Sequence, residues 1–361
     1  MKVKTKKRFF PTPKYLKKPS LGLDISDRSI KYCFFDHVDD ELILGGYGRV
    51  ALEAGIIKSG KIIDIVALRN VLNNLAPRAK RRNVRVALSE EQVYLFSLKL
   101  PLLKQDEVRG SVGLSIEEHV PISMSEAVFD YDLIKKTKDS LVVQVAVVQQ
   151  EIVESYLNAF KNTPFVPSSF ELEEQALARA VIAQGDMGTY MIVDFGETRT
   201  GISIVSEGFV LFTSTIEIGG HNLNEAIAKQ FSISTEEAKK IKEEYGLETS
   251  PEESKNIMPI IVGALSALQD EINKHYVFWD KHPYEDGSER PKINAIYLCG
   301  GEANMKGIEN YLSQTLRTKV KKANPWKNIT DFKKIIPDIS FEDSILYATA
   351  FGLALGDTMY D

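Results

Sequence analysis

Two aspartates near strand ends have the setting that phosphate chemistry requires. Asp24 stands near the end of an apolar run that starts at Leu21, and the short polar turn 26–29 follows it; Asp194 holds the same place after the apolar run that starts at Tyr190. An acid at a strand end holds Mg²⁺, usually through its water shell, and backbone N–H groups in tight turns bind phosphates. Two such turns that face each other would clamp one phosphate tail.

Each turn supplies candidate phosphate ligands. Glycine suits such turns because it tolerates positive φ and lets a phosphate approach closely, and Gly196 has this place in the second turn. The paired glycines that follow the strand-like run 293–299 would let the backbone lie flat against an adenosine. The candidate ligands are Asp24, Ser26, Asp27, Arg28 and Ser29 in the first turn, Asp194, Gly196, Glu197, Thr198 and Thr200 in the second, and the pair Gly300 and Gly301.

Both turns are predicted to lie in β-hairpins. Apolar residues alternate on either side of the polar turn in 21–34, and again in 190–205. The second acid follows the first by 170 positions, and this internal repeat predicts two related α/β lobes that each open with a hairpin. Either hairpin alone is common in proteins that bind no ligand. The two hairpins followed by a strand that ends in Gly300-Gly301 are not expected in this order by chance.

The bulk composition is that of an ordinary globular protein with material for two cores. The 361 residues are 43% hydrophobic and 26% charged, with a net charge of −5 that argues against nucleic acid as the main partner. The two cysteines, Cys33 and Cys299, lie in apolar runs and are expected to be buried thiols of a reducing compartment. No apolar run approaches the roughly 20 residues of a membrane span, and the five histidines lack zinc-site spacing.

The first twenty residues differ from the rest of the chain. Residues 1–20 carry eight lysines and arginines, no acid, and three prolines. One interpretation is a disordered, solubilising arm. The alternative is attraction to an anionic inner leaflet, to which each cation contributes up to about 1 kcal/mol.

The order of the two phosphate hairpins and the strand that ends in Gly-Gly resembles the actin, Hsp70 and sugar-kinase superfamily. Within it, the details resemble the PilM family of type IV pilus assembly, a relative of FtsA. An acid, a turn with Pro121 and a strand with Asp130-Tyr131 match the inserted subdomain 1C of that family, which actin and the sugar kinases lack at this place. FtsA carries a related insertion and is the second choice. The matching stretches are 100–103, 118–122, 129–131, 173–180, 217–220 and 296–301.

The resemblance implies a two-lobed α/β fold of the actin/Hsp70 (ribonuclease H-like) type with an inserted α+β subdomain 1C. The implied division is a basic tail at 1–20, subdomain 1A at 21–83, 164–189 and 336–361, subdomain 1C at 84–163, subdomain 2A at 190–217 and 292–335, and subdomain 2B at 218–291.

The resemblance also implies ATP and Mg²⁺ as ligands, with Asp24 and Asp194 holding the metal through water. It adds Gly219, Gly220 and Lys242 to the nucleotide site. Lys242 is interpreted either as a contact to the nucleoside or as part of a solvated Lys/Glu helix face. The other new candidate is a glutamate that begins the connecting helix.

The glutamate that begins the connecting helix is Glu173, which would either orient a water or act as an ordinary acid at a helix N-terminus.

The first turn departs from the family, in which Asp-Ile-Gly is usual. Ser26 at a position of positive φ would cost on the order of 1 kcal/mol, and Asp27 would repel phosphates unless Mg²⁺ or Arg28 offsets it.

Three functions remain open from the sequence. The first is an ATP-regulated cytoplasmic scaffold, peripheral to the inner face of the plasma membrane and of at most weak ATPase activity. It would bind the N-terminal segment of PilN on the 1A/1C face and contact other pilus platform proteins. The second is a small-molecule kinase, which needs a positioned base that nothing in the sequence demands. The third is an FtsA-like filament. In each case, Asp194→Ala, alone or with Asp24→Ala, is expected to abolish Mg-ATP binding and leave the fold intact.

Overall fold

A computed structural model describes residues 20–38, 41–248, 254–284, 287–329 and 336–356. All of the basic tail except its last residue, Ser20, therefore lies outside the described residues. In the part of the chain that is described, no helix combines the length and apolar composition that a membrane span requires. Cys33 and Cys299 are buried and free, as predicted.

The first lobe is built on a five-stranded sheet. Its chain begins with β1 (Leu21–Ile25), β2 (Ser29–Val38), β3 (Glu41–Ala51), β4 (Ile57–Lys58), β5 (Lys61–Ile62), α1 (Ile65–Ala79) and β6 (Asn83–Leu88). Strands β1, β2 and β3 pair as an antiparallel meander, and β6 lies parallel to β1. Helix α1 buries Leu68, Leu72 and Leu75 against this sheet, because apolar residues three and four positions apart fall on one helix face.

The inserted module follows β6 and has its own sheet and core. Its elements are β7 (Val93–Pro101), α2 (Gln105–His119), β8 (Ala127–Lys136) and β9 (Ser140–Gln149), with β9 between β7 and β8 in an antiparallel sheet. Helix α2 packs Val112 and Ile116 on one face of that sheet, which presents Val143 and Val145. The other face is turned towards the two lobes.

The chain then returns to the first lobe through α3 (Gln150–Phe160), β10 (Val166–Leu172) and α4 (Glu173–Val181). Strand β10 pairs with β6 at the far side of the first sheet, and α3 buries Ile152 and Tyr156 in the core of that lobe. The sequence-based range 84–163 for the module thus includes β6 and α3, which the structure joins to the first lobe. The module's own sheet and helix occupy residues 93–149.

The second lobe has a five-stranded sheet covered by helices. Its elements are β11 (Thr189–Phe195), β12 (Thr200–Ser206), β13 (Phe209–Ile216), α5 (Gly220–Phe231), α6 (Thr235–Tyr245), α7 (Ser254–Lys281), β14 (Ala295–Cys299), α8 (Ile308–Leu316) and β15 (Val320–Lys322), after which α9 (Phe341–Ile345) and α10 (Ala348–Leu355) close the described chain. Helix α10 is buried throughout and packs on β1 and α4 of the first lobe.

The two large sheets have the same topology, which confirms the repeat predicted from the hairpins. Their strand orders are β3-β2-β1-β6-β10 and β13-β12-β11-β14-β15. In each, an antiparallel meander of three strands is followed by two strands parallel to the first. The carboxyl ends of the equivalent strands β1 and β11 carry Asp24 and Asp194, so the duplicated frame places both acids at the edge where the lobes meet.

Candidate functional site

A cavity of about 510 Å³ lies between the two lobes, within the size range of small-molecule sites. Both predicted turns and the strand end at Gly300 line it. Nine carboxylates and six cationic side chains line the same cavity. Because acids outnumber cations, a polyphosphate needs an accompanying cation to enter it at low energetic cost.

The two turns have one backbone design. The N–H of Ser26 donates to the carbonyl of Ser29 at 3.0 Å, and the N–H of Gly196 donates to the carbonyl of Arg199 at the same distance. The amides at 27–28 and 197–198 donate to no group within the described residues. Free N–H groups in tight turns are donors of the kind that phosphate oxygens accept from.

Neither turn needs a residue of positive φ at the position of Ser26 or Gly196. The cost expected for serine in the first turn therefore does not arise, and the Ser26 hydroxyl donates a further bond to the Ser29 carbonyl at 3.0 Å. Glycine is required in the second turn for space, because a Cβ on Gly196 would lie 2.9 Å from the carbonyl oxygen of Arg199.

The two aspartates have different surroundings. Asp24 is 3% exposed and does not line the cavity; its Oδ2 accepts a hydrogen bond from Lys31 Nζ at 2.7 Å. Asp194 lines the cavity and has no hydrogen-bond or ion-pair partner among the described residues. Burial raises the pKa of Asp194, Lys31 opposes that rise and Asp24 adds to it. Of the two predicted metal ligands, Asp194 is placed to hold a cation, and Asp24 is occupied by Lys31.

A magnesium ion at Asp194 would have one protein ligand. Within the described residues, no group of three or more His, Cys, Asp or Glu side chains is arranged to hold a metal. Mg²⁺ commonly binds through one or two carboxylates, with substrate phosphates and water completing the octahedron. The residues present fit a metal that arrives with a nucleotide.

Asp27 faces a different cation from the one predicted. Its carboxylate accepts hydrogen bonds from the backbone of Ser59 at 3.1 Å and of Gly60 at 3.2 Å, and from Arg199 Nη1 at 3.2 Å. Arg28 lines the cavity without an ion pair among the described residues. The acid in the first turn is thus offset by an arginine of the second turn.

Three predicted ligands lie behind the second turn and outside the cavity lining. The N–H of Gly220 donates to the carbonyl of Gly196 at 3.0 Å, and the hydroxyl of Thr200 donates to the carbonyl of Ile218 at 2.6 Å. A Cβ on Gly219 would lie 2.5 Å from the carbonyl oxygen of Glu197. These residues position the turn and do not contact the cavity.

Lys242 is buried, which excludes the interpretation as part of a solvated helix face. It is 2% exposed, and its Nζ lies 2.6 Å from Glu302 Oε2 and 3.4 Å from the carbonyl oxygen of Gly220. It lines the cavity together with Lys239 and Glu243 of the same helix. Helix α6 therefore presents polar side chains to the end of the cavity that lies beside the paired glycines.

The paired glycines line the cavity, and the chain itself restricts the first of them. Gly300 has a φ of +80°, and a Cβ there would lie 2.4 Å from the carbonyl oxygen of Phe195. Only glycine fits both restrictions. Gly301 has no atom within 4 Å of the place a Cβ would take, so the backbone borders open space.

Two adjacent acids begin α4 beside the turns. Burial, Asp24 and Asp194 raise the pKa of Glu173 to about 8, against the opposing effect of Arg199 and Lys31. Glu173 both begins the helix and lines the cavity, so its two predicted roles are geometrically compatible. Its neighbour Glu174 is 6% exposed, and its Oε2 has no partner among the described residues.

The cavity lining contains many residues that sequence reasoning did not single out, among them the polar side chains of Lys31, Glu174, Arg199 and Asn224. Lys31 lies in the predicted first hairpin, and the register of that hairpin in the structure places it opposite Asp24. Asn224, 7% exposed with an unpartnered Oδ1 within the described chain, and Glu174 lie on helix faces whose direction depends on tertiary packing. The contacts of Arg199 cross between lobes, so no local pattern reveals them.

Two lobes of one topology, joined around a cleft into which equivalent turns project, define an actin-like ATPase fold. Two solved structures of this fold align over most of the chain. MreB 5 of Spiroplasma citri bound to AMPPNP is 15% identical with a TM-score of 0.55 and covers 94% of this chain and 96% of that one. The ethanolamine utilization protein EutJ from Carboxydothermus hydrogenoformans is 15% identical with a TM-score of 0.55, over 93% and 89% of the respective chains.

A structure of the PilM–PilN type IV pilus biogenesis complex is more similar: the TM-score is 0.78 and the identity 23%, over 94% of this chain and 99% of that one. The family of the type IV pilus assembly protein PilM matches residues 22–358, and this chain belongs to that family. The curated EutJ of Escherichia coli K12 is 27% identical over 117 residues, which are 32% of this chain and about a third (35%) of the relative.

Proposed function

We propose that this protein binds Mg-ATP between its lobes and serves as a cytoplasmic scaffold of the type IV pilus assembly platform. Its partner is the N-terminal cytoplasmic segment of a PilN-like inner-membrane protein. The observation that carries the proposal is the similarity, over 94% of the chain, to the structure of a PilM–PilN type IV pilus biogenesis complex. The family membership supports the same assignment.

The cleft supports the nucleotide half of this proposal. Free turn amides for phosphates, Asp194 for a hydrated Mg²⁺ and the paired glycines for a nucleoside occur in one cavity of sufficient volume. Neighbours of the same fold have been solved with ADP and with AMPPNP. When bound, Mg²⁺ would neutralise phosphate charge, and this chain's turns and glycines would orient the nucleotide. The lysine of the first hairpin adds a cation beside the phosphates.

The face between the inserted module and the first lobe supports the peptide half. Strand β8 is an edge of the module's sheet, and an edge strand can pair with an extended peptide. Its residues Val128 and Asp132 lie on the face opposite α2, because Phe129 packs under that helix and side chains alternate along a strand, whereas Asp130 reaches Arg109 of α2 at 3.7 Å. Val128 is 40% exposed. Burial raises the pKa of Asp132, and Arg179 on α4 opposes that rise. An apolar and basic peptide suits this surface.

The peptide assignment is tested with a fluorescent peptide of the partner's N-terminus and the full chain. We expect Val128→Glu to weaken binding by about ten-fold or more, because it places a charge on the apolar part of the face. The matched control is Leu114→Glu, at an 86% exposed position on the outer side of α2, which is expected to bind as the wild type does. Equal loss in both variants, or in neither, would remove the assignment of this face.

The other two functions give different measurements. Nucleotide-dependent pelleting of the purified chain would favour a filament, and steady, substrate-stimulated ADP production would favour a kinase. A scaffold binds the peptide and shows neither.

The basic tail supplies a second contact for a protein that works at a membrane. We propose that residues 1–20 bind the anionic inner leaflet, through their eight cations, and keep the scaffold near its membrane partner and other platform proteins. Deletion of residues 1–19 is expected to abolish co-sedimentation with vesicles that contain anionic lipid and to leave peptide affinity unchanged. Equal sedimentation with neutral vesicles would contradict this role.

A further inference from the structure

Arg199 joins the two lobes through three hydrogen bonds. It is the last residue of the second turn. Its Nη1 lies 3.2 Å from Oδ2 of Asp27 and 2.5 Å from Oε2 of Glu91, and its Nη2 lies 3.2 Å from the hydroxyl of Ser89. The side chains of the arginine and both acids are less than a fifth exposed. Charge-assisted bonds that are shielded from water are stronger than ion pairs at the surface.

The carboxylate of Asp27 is held in place independently of Arg199. It accepts from the amides of Ser59 and Gly60, and the carbonyl of Ser59 accepts from Gln92 Nε2 at 2.8 Å. These bonds connect the first turn to the same short segment that carries Glu91. The carboxylate of Asp27 therefore keeps its position when the guanidinium leaves, and its pairing with Arg199 can form again.

The segment 89–92 is the connection from β6 into the inserted module. Two neighbouring contacts reach the same part of the second lobe: Glu90 accepts from the hydroxyl of Thr215 on β13, and Gln144 of β9 donates to the carbonyl of Val210. The module is thus bonded to the second lobe at three places, two of them in segment 89–92 at its base and one in β9. Of these contacts, the one made by Arg199 comes from the second turn.

We propose that Arg199 reads the terminal phosphates of a bound nucleotide by exchanging Glu91 and Asp27 for phosphate oxygens, which loosens the base of the inserted module from the second lobe. The proposal rests on the nucleotide binding proposed above. A guanidinium presents the same planar donors to carboxylates and phosphates. The two N–H groups of Nη1 are both taken by the acids, so a phosphate oxygen displaces one acid for each N–H that it accepts from, and two phosphate oxygens displace both.

The exchange has a consequence for the partner site, because coupling between two binding sites is reciprocal. A nucleotide that frees the base of the module changes the affinity of the module for its peptide. The bound peptide must change nucleotide affinity by the same factor. The residue that couples the two sites is then one that touches neither the peptide face nor the nucleoside.

The diagnostic experiment measures the affinity of a fluorescent ATP analogue, with Mg²⁺, for two single variants of the full chain. Glu91→Gln removes a competitor for the guanidinium, and we expect about five-fold tighter binding. Arg199→Gln removes the phosphate ligand, and we expect about ten-fold weaker binding. A residue with a merely structural role would weaken binding in both variants, so weaker binding by Glu91→Gln overturns the proposal.

The double variant Glu91→Gln/Arg199→Gln completes a double-mutant cycle with the two single variants. Without the arginine, the glutamine has nothing to release, so the double variant is expected to bind as Arg199→Gln does. The control is Glu271→Gln, which removes an exposed ion pair with Lys274 on α7 and is expected to leave the affinity unchanged. A five-fold gain that persists without Arg199 would contradict the exchange.

Hydrogen exchange distinguishes this inference from the proposed function. In the wild type, Mg-AMPPNP is expected to speed exchange of the amides at 89–92, and in Arg199→Gln those amides are expected to exchange fast without nucleotide. Nucleotide binding with no change at 89–92 overturns the exchange and leaves the proposed function standing. No nucleotide binding by the wild type overturns both.

Discussion

The two phosphate turns share one backbone and differ in the residue opposite the acid. In the first hairpin Asp24 faces Lys31 across the strands, whereas in the second Asp194 faces Gly201. The lysine neutralises the first acid and closes it off from the cavity, and the glycine leaves the second acid open. A duplicated frame thus supplies one carboxylate that is paired within the structure and one that is open to the cavity. Substitutions at these positions test the difference between the paired carboxylate of Asp24 and the open carboxylate of Asp194.

The largest effect is expected from Asp194→Asn, which removes the open carboxylate and keeps its shape. We expect a loss of about 100-fold in nucleotide affinity in the presence of Mg²⁺. Chelation with EDTA is expected to bring the wild type to the affinity of the variant, because the lost interaction passes through the metal. An Asp194→Asn protein that still responds to Mg²⁺ would place the metal elsewhere.

The equivalent change in the first turn is expected to act on stability. Asp24→Asn leaves Lys31 without its partner in a site where the aspartate is 4% exposed, at a cost of about 3 kcal/mol in the free energy of unfolding. Removal of Asp24 was expected from the sequence to leave the fold intact, and the ion pair changes that expectation. Urea unfolding measures the loss.

The control for Asp24→Asn is the double variant Asp24→Asn/Lys31→Met, which removes both charges of the ion pair together. Its stability is expected to recover most of the loss, since no charge is left unpaired. A double variant as unstable as Asp24→Asn would show that Lys31 is not the reason for the cost.

Glu173 lies between the two acids and is expected to make stability depend on pH. The pKa of its carboxyl is 4.5 ordinarily and about 8 in the fold. Between these values the unfolded chain binds fewer protons than the folded one. Stability is therefore full below the ordinary pKa and falls as pH rises towards about 8, by at most about 1.4 kcal/mol per pH unit.

Glu173→Gln removes this dependence because the amide does not ionise. We expect the variant to lose less stability than the wild type between about pH 5 and about pH 8, and to be the more stable protein at the upper end by at least about 1 kcal/mol. Urea titrations of both proteins at the two pH values measure this. Parallel pH profiles would mean that the carboxyl ionises normally in the folded state.

The smallest effect is expected from Ser26→Gly, which restores the usual glycine of the family's first turn. Because Ser26 does not have positive φ, glycine relieves no strain, and the hydroxyl bond to Ser29 is lost. We expect a loss of stability of about 1 kcal/mol or less and unchanged nucleotide affinity. Tighter nucleotide binding by the variant would show that the serine does restrict the turn.

Local pattern predicted the parts of the molecule in which neighbouring residues determine the geometry. The hairpins, the acids at 24 and 194 and the glycines at 300–301 follow from alternation and turn chemistry, and the equivalence of the acids predicted the duplicated sheets. The strand β6 was assigned to the inserted module because its sequence does not show which sheet it joins. β6 joins the sheet of the first lobe because it pairs with β1 and β10, which are distant in the sequence.

The remaining features of the cleft depend on contacts between the lobes. Lys242 lies in a run of lysines and glutamates that is typical of a solvated helix, yet it is buried and pairs with Glu302, which is distant in the sequence. Arg199 finds Asp27 only when the turns face each other. Gly219 and Gly220 were predicted to be nucleotide ligands, but they pack behind the second turn and do not line the cavity.

The hydrogen bond from Gln144 to the carbonyl of Val210 has a mechanical consequence. It lies in the middle strand of the inserted module, away from both chain connections of that module. A pull on a peptide held at β8 is therefore borne by the second lobe as well as by the first. Tension that a bound partner applies to the module would therefore reach both lobes, on either side of the cleft.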